Sequence, residues 1–349
     1  MSPAIHLLQK LIATPSLSKQ EAATAELLFN YLQNQGLAVQ RQGNNVFVRS
    51  QHWVAGQAVI LLNSHHDTVK AAAGYTRDPY EPTIEDGCLY GLGSNDAGGC
   101  LVALIHAFLR LEQEGGLGCN LILAATAEEE ISGPNGIASL LPELGPIDAA
   151  IVGEPTLLQA AVAERGLVVL DGETKGKSGH AARKEGINAL YLALEDIGRI
   201  RQYDFTRASE FLPPTHATVT QIEAGSQHNV VPDRCRFVVD LRVNEQYSNE
   251  EAVSLLQQQC QHSQLEARSL RLQSSRIDLD HPLVEAALSF PMVEAYGSPT
   301  LSDQALMPFP TLKLGPGDSA RSHTADEWIG VDEVLAGEER YYQLLRKAF

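Results

Sequence analysis

Three short apolar runs punctuate the first half of the chain: Ala58–Asn63 (AVILLN), Asn120–Ala125 (NLILAA) and Ala149–Val152 (AAIV). Continuous apolar runs of this length, without polar alternation, are the pattern of strands covered on both faces. Stretches with helical periodicity separate them, so the pattern predicts an α/β sheet with mainly parallel strands. The longest uncharged apolar stretch, Ala97–Leu109 (AGGCLVALIHAFL), reads as a buried helix, because it is shorter than the roughly 20 residues that span a bilayer. Near the start, Ser18 and Glu21 have the spacing of a capping box, followed by an apolar rhythm through Leu27, Leu28 and Leu32 and a stop at Gly36.

From Gly166 the texture changes. Gly166–Lys175, Ala217–Glu223 and Arg236–Arg242 alternate as half-buried strands do, with helical segments at Ile187–Arg201 and Asn249–His262. This pattern predicts a smaller α+β domain over 166–281, inserted into a domain made of 1–165 and 282–349. After Pro282, a strand at Thr311–Gly315 and a helix at Val331–Lys347 are available to complete the first sheet.

Composition narrows the function. A chain of 349 residues corresponds to about two domains at roughly 150 residues each. Such a chain buries about three quarters of its unfolded surface, so no disulfide or structural metal is needed for folding. An apolar fraction of 44% with 20% charged residues is that of a chain that folds in water. The formal net charge of −17 repels phosphates and anionic lipid, which argues against a nucleic-acid or membrane partner. The amino terminus lacks a basic residue before its apolar part and Lys10 interrupts that part, so no secretory signal is expected. Cys88, Cys100, Cys119, Cys235 and Cys260 are odd in number and scattered, which fits a reducing, cytoplasmic location and argues against a thiolate metal site.

In open α/β sheets, ligands gather beyond the carboxyl ends of the strands. Three segments follow the apolar runs directly: SHHD with His65 and Asp67, TAEEE with Glu128, Glu129 and Glu130, and GEPT with Glu154. Asp96 in the glycine-rich GLGSNDAGG and His323 in GPGDSARSHTADEW bring the segments with His or carboxylate groups to five. Imidazoles with carboxylates and no cysteine suit zinc and its neighbours. A carboxylate shared between two ions holds them about 3.5–4 Å apart, as in co-catalytic hydrolases. Spacing alone leaves Glu128, Glu129 and Glu130 equivalent. His6, His52, His106 and His262 have no such company and read as ordinary core or surface residues. GLGSNDAGG carries Asp96 where a dinucleotide fingerprint needs its third glycine, and GKSGH is spaced wrongly for a P-loop. No G-x-S-x-G elbow occurs, which weakens a serine-hydrolase reading.

The succession NSHHDTV, LYGLGSNDAGG, TAEEEISG, IVGEPT, GKSGHAARKEGINAL, NVVPDRCRFVVDLR and GPGDSARSHTADEW resembles the co-catalytic zinc amidohydrolase family of acetylornithine deacetylase, succinyl-diaminopimelate desuccinylase and related carboxypeptidases. The likeness runs from Ile5 to the end and is strongest to the acetylornithine deacetylase branch, which includes relatives acting on acylated ornithine or citrulline. It implies a zinc-peptidase-like catalytic domain interrupted by a ferredoxin-like dimerisation domain, and two zinc ions per chain, with cobalt or manganese as substitutes. By the same resemblance Asp96 bridges the ions beside a cis peptide, His65 and Glu154 complete one site, and Glu130 and His323 complete the other. Asp67 orients His65, and Glu129 is the general base. His180 reaches the active site of a second copy in a homodimer and stabilises the oxyanion, while Asn229 and Arg242 hold the substrate carboxylate.

The implied activity is hydrolysis of a small-molecule N-acyl-L-amino acid, N-acetyl- or N-succinyl-ornithine or citrulline in arginine biosynthesis. Its rivals are a desuccinylase, dipeptidase or carboxypeptidase of the same family, or a binding protein that keeps the fold without catalysis. Two departures from the family pattern, Gly98 where relatives often carry lysine and Arg321 where they carry a small residue, are expected to alter the substrate pocket.

Overall fold

The computed structural model describes residues 2–183 and 185–349. They form two compact units, one of Met1–Val162, Arg276–Gly297 and Ser302–Phe349, the other of Ala163–Ser275 and Ser298–Leu301. The first part of the chain runs α1 (Pro3–Ile12), α2 (Ala22–Asn34), β1 (Gln40–Gln42), β2 (Asn45–Arg49), β3 (Val59–His65), β4 (Thr83–Glu85), β5 (Cys88–Tyr90), α3 (Gly99–Glu114), β6 (Asn120–Thr126), α4 (Ile137–Leu144), β7 (Ala149–Val152) and β8 (Ala160–Glu164). There follow β9 (Gly166–Lys175), β10 (Gly179–His180), α5 (Ala189–Gln202), β11 (His216–Ala224), β12 (Val230–Val231), β13 (Arg234–Val243), α6 (Asn249–Gln259) and β14 (Ser263–Ala267). The chain closes with β15 (Ser275–Arg276), α7 (Pro282–Leu288), β16 (Ala295–Ser298), β17 (Thr311–Lys313), β18 (Trp328–Gly330) and α8 (Val331–Ala348).

The main sheet has the order β1-β2-β6-β3-β7-β17-β8-β15, with β16 added beside β8. Its centre is parallel, β6 with β3, β3 with β7 and β7 with β17, while β1–β2, β2–β6 and β17–β8 are antiparallel. The fold is therefore α/β around a mixed sheet whose four central strands run parallel. Every residue of β6 and β7 is buried, which is why their sequences are apolar without alternation. On one face, Leu61, Ile122 and Val152 pack with Ile137 and Leu140 of α4. α3 lies against β3, β6 and α8, with eleven of its residues buried. Parallel register sets His65 opposite Thr126 and Asn63 opposite Val152. The segments leaving β3, β6 and β7 thus emerge at one edge.

The helix expected from Ser18 differs in its start. α2 begins at Ala22 without a side-chain cap, because the Ser18 hydroxyl donates to Asp67 (2.7 Å) and the Glu21 carboxylate is taken by Asn44 Nδ2 (2.9 Å) and the Glu128 amide (3.3 Å). The capping box is dissolved by tertiary bonds. α3 likewise starts at Gly99, since Ala97 and Gly98 belong to a tight turn.

The second unit carries a four-stranded antiparallel sheet, β11-β13-β9-β14. The succession β9-α5-β11-β13-α6-β14 is the ferredoxin-like one. Alternate residues such as Val168, Leu170, Phe237, Val239 and Leu241 face α5 and α6 and form its core. α6 stops at Gln259, short of His262, because the buried Asp196 carboxylate accepts the amides of Gln261, His262 and Ser263 at 2.7–2.9 Å and turns the chain. β11 is an edge strand with no buried residue.

Candidate metal centre

His65 ends β3 and is 1% exposed. Its Nδ1–H donates to the Asp67 carbonyl (2.9 Å), and its Nε2 faces Asp96 Oδ1 at 3.2 Å, Glu154 Oε1 at 3.8 Å and Glu129 Oε2 at 4.0 Å. A carbonyl only accepts, so the proton is fixed on Nδ1 and the Nε2 lone pair is left for a ligand. The adjacent His66 is turned away, between Thr24 Oγ1 and the Asn44 carbonyl, each 2.9 Å distant. Burial lowers its pKa, and it is a neutral structural group.

Asp67 meets the Nδ1 edge of His65 mainly through its backbone. Its carbonyl, not its carboxylate, receives the His65 Nδ1–H; the carboxylate stands 3.5 Å from that nitrogen and accepts the amides of Glu129 (3.1 Å) and Glu130 (3.3 Å). One residue therefore holds both the histidine and the glutamate turn.

Asp96 lies in the turn Ser94–Gly98, and its peptide bond to Ala97 is cis. Oδ1 faces His65, and Oδ2 stands 3.6 Å from His323 Nε2. The turn is pinned by Glu327, 2% exposed, whose carboxylate accepts the amides of Gly93 (3.0 Å), Asn95 (2.8 Å) and Asp96 (2.9 Å). Burial pushes this carboxyl up to about 7. Sequence reasoning passed over Glu327; its acidic character within SHTADEW was the only signal.

The three glutamates separate cleanly. Glu128 turns back with φ 55°, and its carboxylate accepts the Asn135 amide (3.1 Å) and Nδ2 (2.8 Å), a structural task. Glu130 Oε2 lies 2.9 Å from His323 Nε2, and Glu129 faces His65. Glu154 stands two residues beyond β7, at 9% exposure. His323 is the open member, its side chain 55% exposed.

Titration states follow from this crowding. Burial pushes Glu129 well above the usual carboxylate range and Glu154 up to about 8, with nearby carboxylates adding to both. For His65, burial alone would lower the pKa, but Glu129, Asp67, Asp96 and Glu154 overcome it and raise the group well above 6.5. The hydrogen bond to Glu130 raises His323 to about 9. Such a site lacks positive charge, and protons make up the deficit. A divalent cation would serve instead: ligands at about 2.1 Å around a tetrahedral ion are roughly 3.4 Å apart, near the spacings seen here. His65, Asp96 and Glu130 form one donor group and His65, Glu129 and Glu154 another, the atoms of each within 4.8 Å of one another. Asp96, with one oxygen towards each histidine, has the form a shared ligand requires. The residues fit a metal.

Both departures have structural explanations. At Gly98 a Cβ would run into the Gly93 carbonyl and stand 2.7 Å from Leu8 Cδ1, so this backbone has no room for a side chain. Arg321 is engaged with Glu333 through two bonds (2.6 and 3.1 Å) and lies 3.7 Å over the Trp328 ring, which leaves it committed to packing.

The second unit holds the remaining candidates. His180 is exposed on β10, pairs with Val230, and its Nδ1 accepts the Ala182 amide (3.2 Å). Asn229 is its neighbour, the Asn229 carbonyl accepting the Ala181 amide (3.1 Å). Arg242 lies near the carboxyl end of β13, about 26 Å along the strand from Arg234 at 3.3 Å per residue, whereas Asn229 precedes β12 before the strand's amino end, and Arg242 is bidentate to Asp240 (2.7 and 3.1 Å). His180 and Asn229 are brought together; Arg242 is not brought to them.

Fold and centre together are those of a metal-dependent hydrolase. The chain matches peptidase family M20/M25/M40 over residues 61–347 and belongs to that family. It is 30% identical over 306 residues to an acetylornithine deacetylase of Myxococcus xanthus, covering 81% of this chain and 78% of that protein. Among solved structures it is similar to the aminopeptidase PepT of Bacillus cereus, with a TM-score of 0.79, 20% identity and coverage of 99% and 98% of the two chains. It is similar also to the YXEP protein of Bacillus subtilis, a dinuclear metal binding peptidase, with a TM-score of 0.76, 16% identity and coverage of 98% and 96%. Among the described residues no helix is long and apolar enough to cross a membrane.

Proposed function

We propose that the protein is a dinuclear zinc deacylase that hydrolyses the amide of an N-acyl-L-amino acid, of the ornithine or citrulline type used in arginine synthesis. The observation that carries the reading is Asp96, whose two oxygens face His65 and His323. Glu154 stands on the His65 side and Glu130 on the His323 side. The likeness to the Myxococcus xanthus deacetylase supports the acylated amino acid as substrate class.

Bound zinc, or cobalt or manganese in its place, supplies Lewis acidity that polarises the acyl carbonyl and makes water nucleophilic near neutral pH. Glu129 takes a proton from the attacking water as its oxygen adds to the acyl carbon, and gives that proton to the amine nitrogen as the C–N bond breaks. Asp67 fixes the direction of this transfer by holding the Glu129 amide. His180 donates to the oxyanion of the tetrahedral intermediate, and Arg242 with Asn229 holds the substrate carboxylate.

The second unit, here assigned to dimerisation, supports a homodimer. β11 is an open edge; Ile187 just before α5, the helix packed beside it, and Tyr191 and Leu194 on α5 are 52%, 65% and 49% exposed. The separation of Arg242 from His180 and Asn229 is accounted for if the latter two act in the site of the second copy.

The test is release of free amine from N-acetyl and N-succinyl derivatives of ornithine, citrulline, lysine and diaminopimelate, with unacylated dipeptides alongside, by zinc-loaded protein. Turnover of an acyl amino acid at least tenfold above any dipeptide is expected. Cleavage of dipeptides alone would replace this reading with a peptidase, and silence across the panel would make the protein a binding module.

A further inference from the structure

A cavity of about 340 Å³ lies beside the metal centre, bounded by the segment that leaves Glu154 and the segment that leads to His323. Pro155, Leu157 and Tyr296 give it apolar walls, and Glu294 and Asp318 add two carboxylates. Thr156 and Asp318 form a bridge, and the Asp318 amide and carbonyl are bonded to the Asn95 side chain at 3.1 and 3.0 Å, next to Asp96. The cavity floor is thereby tied to the turn that carries the shared ligand.

The wall at Leu157 is built against local preference. Leu157 and Leu158 have φ 55° and 60°, a left-handed backbone that bulky side chains avoid. They are held there by donation from the Leu157 amide to Gly317 (2.7 Å) and from the Leu158 amide to Gly315 (2.9 Å). The result is an apolar side chain left 52% exposed at the cavity. Residues held in such conformations cluster where a ligand is gripped. Asp318 uses one oxygen to accept the Ala320 amide (2.9 Å), and Glu294 is fixed through its amide by Gln159 Oε1 (2.8 Å). Among the described residues, neither carboxylate is part of an ion pair.

We propose that this cavity receives the side chain of the substrate's amino acid and selects one that ends in a nitrogen hydrogen-bond donor, an ammonium or a ureido group. This rests on the deacylase reading and deepens it. The apolar walls cover the methylenes of an aliphatic chain, and Glu294 and Asp318 accept its terminal N–H groups. A side-chain carboxylate is repelled by the same pair, and a plain alkyl chain leaves them without a partner. Ammonium and ureido groups share this donor chemistry and differ in charge, so a neutral acceptor at position 294 distinguishes them.

The experiment compares kcat/KM for N-acetyl-L-ornithine, N-acetyl-L-citrulline, N-acetyl-L-norvaline and N-acetyl-L-glutamate, with zinc-loaded wild type and the Glu294→Ala, Glu294→Gln and Asp318→Asn variants. Norvaline has the ornithine carbon chain without its nitrogen. The expected result is a preference of about tenfold or more for a donor side chain over norvaline and glutamate, since a hydrogen bond to a charged group is worth about that factor. Glu294→Ala should shrink the preference at least fivefold. Glu294→Gln shrinks it for an ammonium substrate and keeps it for a ureido one. A preference unchanged in both Glu294→Ala and Asp318→Asn overturns the assignment.

Calorimetric binding of free ornithine, citrulline and norvaline separates the two claims. If no acyl compound is cleaved, the deacylase reading falls. Donor-selective binding lost in Glu294→Ala then still upholds the cavity, and equal or absent binding overturns it.

Discussion

The metal centre and the exposed candidates of the second unit are built in opposite ways. At the centre, the carboxylates that face His65, those of Asp96, Glu129 and Glu154, converge from three separate chain segments, and the first two are held through their backbone amides. Asp67 carries the His65 ring and the Glu129–Glu130 turn, and Glu327 carries the turn of Asp96. In the second unit His180 and Asn229 lie exposed on a short ladder, and Arg242 is satisfied by Asp240 two residues away. The difference teaches where a chain completes a site alone. The centre is assembled within one copy, whereas on the proposed reading His180 and Asn229 act only in the site of a second copy.

The sharpest way to break this contrast is at the two sides of the reaction. Glu129→Gln removes the proposed proton carrier while leaving a carbonyl oxygen beside His65 and Glu154, and it should lower kcat about 10³-fold or more while metal content, measured by atomic absorption, stays at the wild-type level. His180→Ala should lower kcat about a hundredfold to a thousandfold. Mixing the inactive Glu129→Gln and His180→Ala proteins under subunit exchange should recover activity, because one of the two sites in the mixed dimer is intact. No recovery would place His180 in its own chain's site and erase the comparison.

Smaller effects sharpen the account of the centre. Glu327→Gln keeps an oxygen for the Asn95 and Asp96 amides but turns an NH₂ donor towards the Gly93 amide, so chelator competition should find metal affinity about tenfold to a hundredfold weaker, the usual cost of losing an outer partner. An unchanged affinity would reduce Glu327 to packing. Away from the centre, burial holds His106 down at about 4, with Tyr31 Oη 2.9 Å from its Nε2. The folded protein therefore keeps this ring neutral while the unfolded chain protonates it near 6.5. Its contribution is full above about pH 6.5 and is lost as pH falls towards 4, so urea melts should show a shallower acid loss in His106→Gln than in wild type. Parallel acid slopes would show that the ring titrates normally.

Much of this was legible in the sequence, for physical reasons that differ by element. The strands at Ala149–Val152 and Gly166–Lys175 are as the apolar patterns predict, because double-faced and single-faced burial leave opposite signatures. The segments of His65, Glu129–Glu130 and Glu154 were legible because parallel strands release them at one edge, whereas Asp96 and His323 stood out by their motifs. What escaped were bonds between residues far apart in the chain. Ser18 and Glu21 spell a capping box, yet Asp67 and Asn44 claim their side chains. Glu327 caps a turn more than two hundred residues earlier, and no periodicity encodes that pairing. The strands β4, β5 and β18 are three residues each, too short to show a pattern.

The central claim is that Asp96 is shared between two metal ions, one beside His65 and Glu154 and the other beside Glu130 and His323. Titration of metal-free protein with zinc, followed by calorimetry, tests it most directly. Two equivalents bound per chain in wild type, with the second site lost or both weakened at least tenfold in Asp96→Asn, is the predicted result. A single equivalent in wild type, or two sites of unaltered affinity in Asp96→Asn, would contradict it.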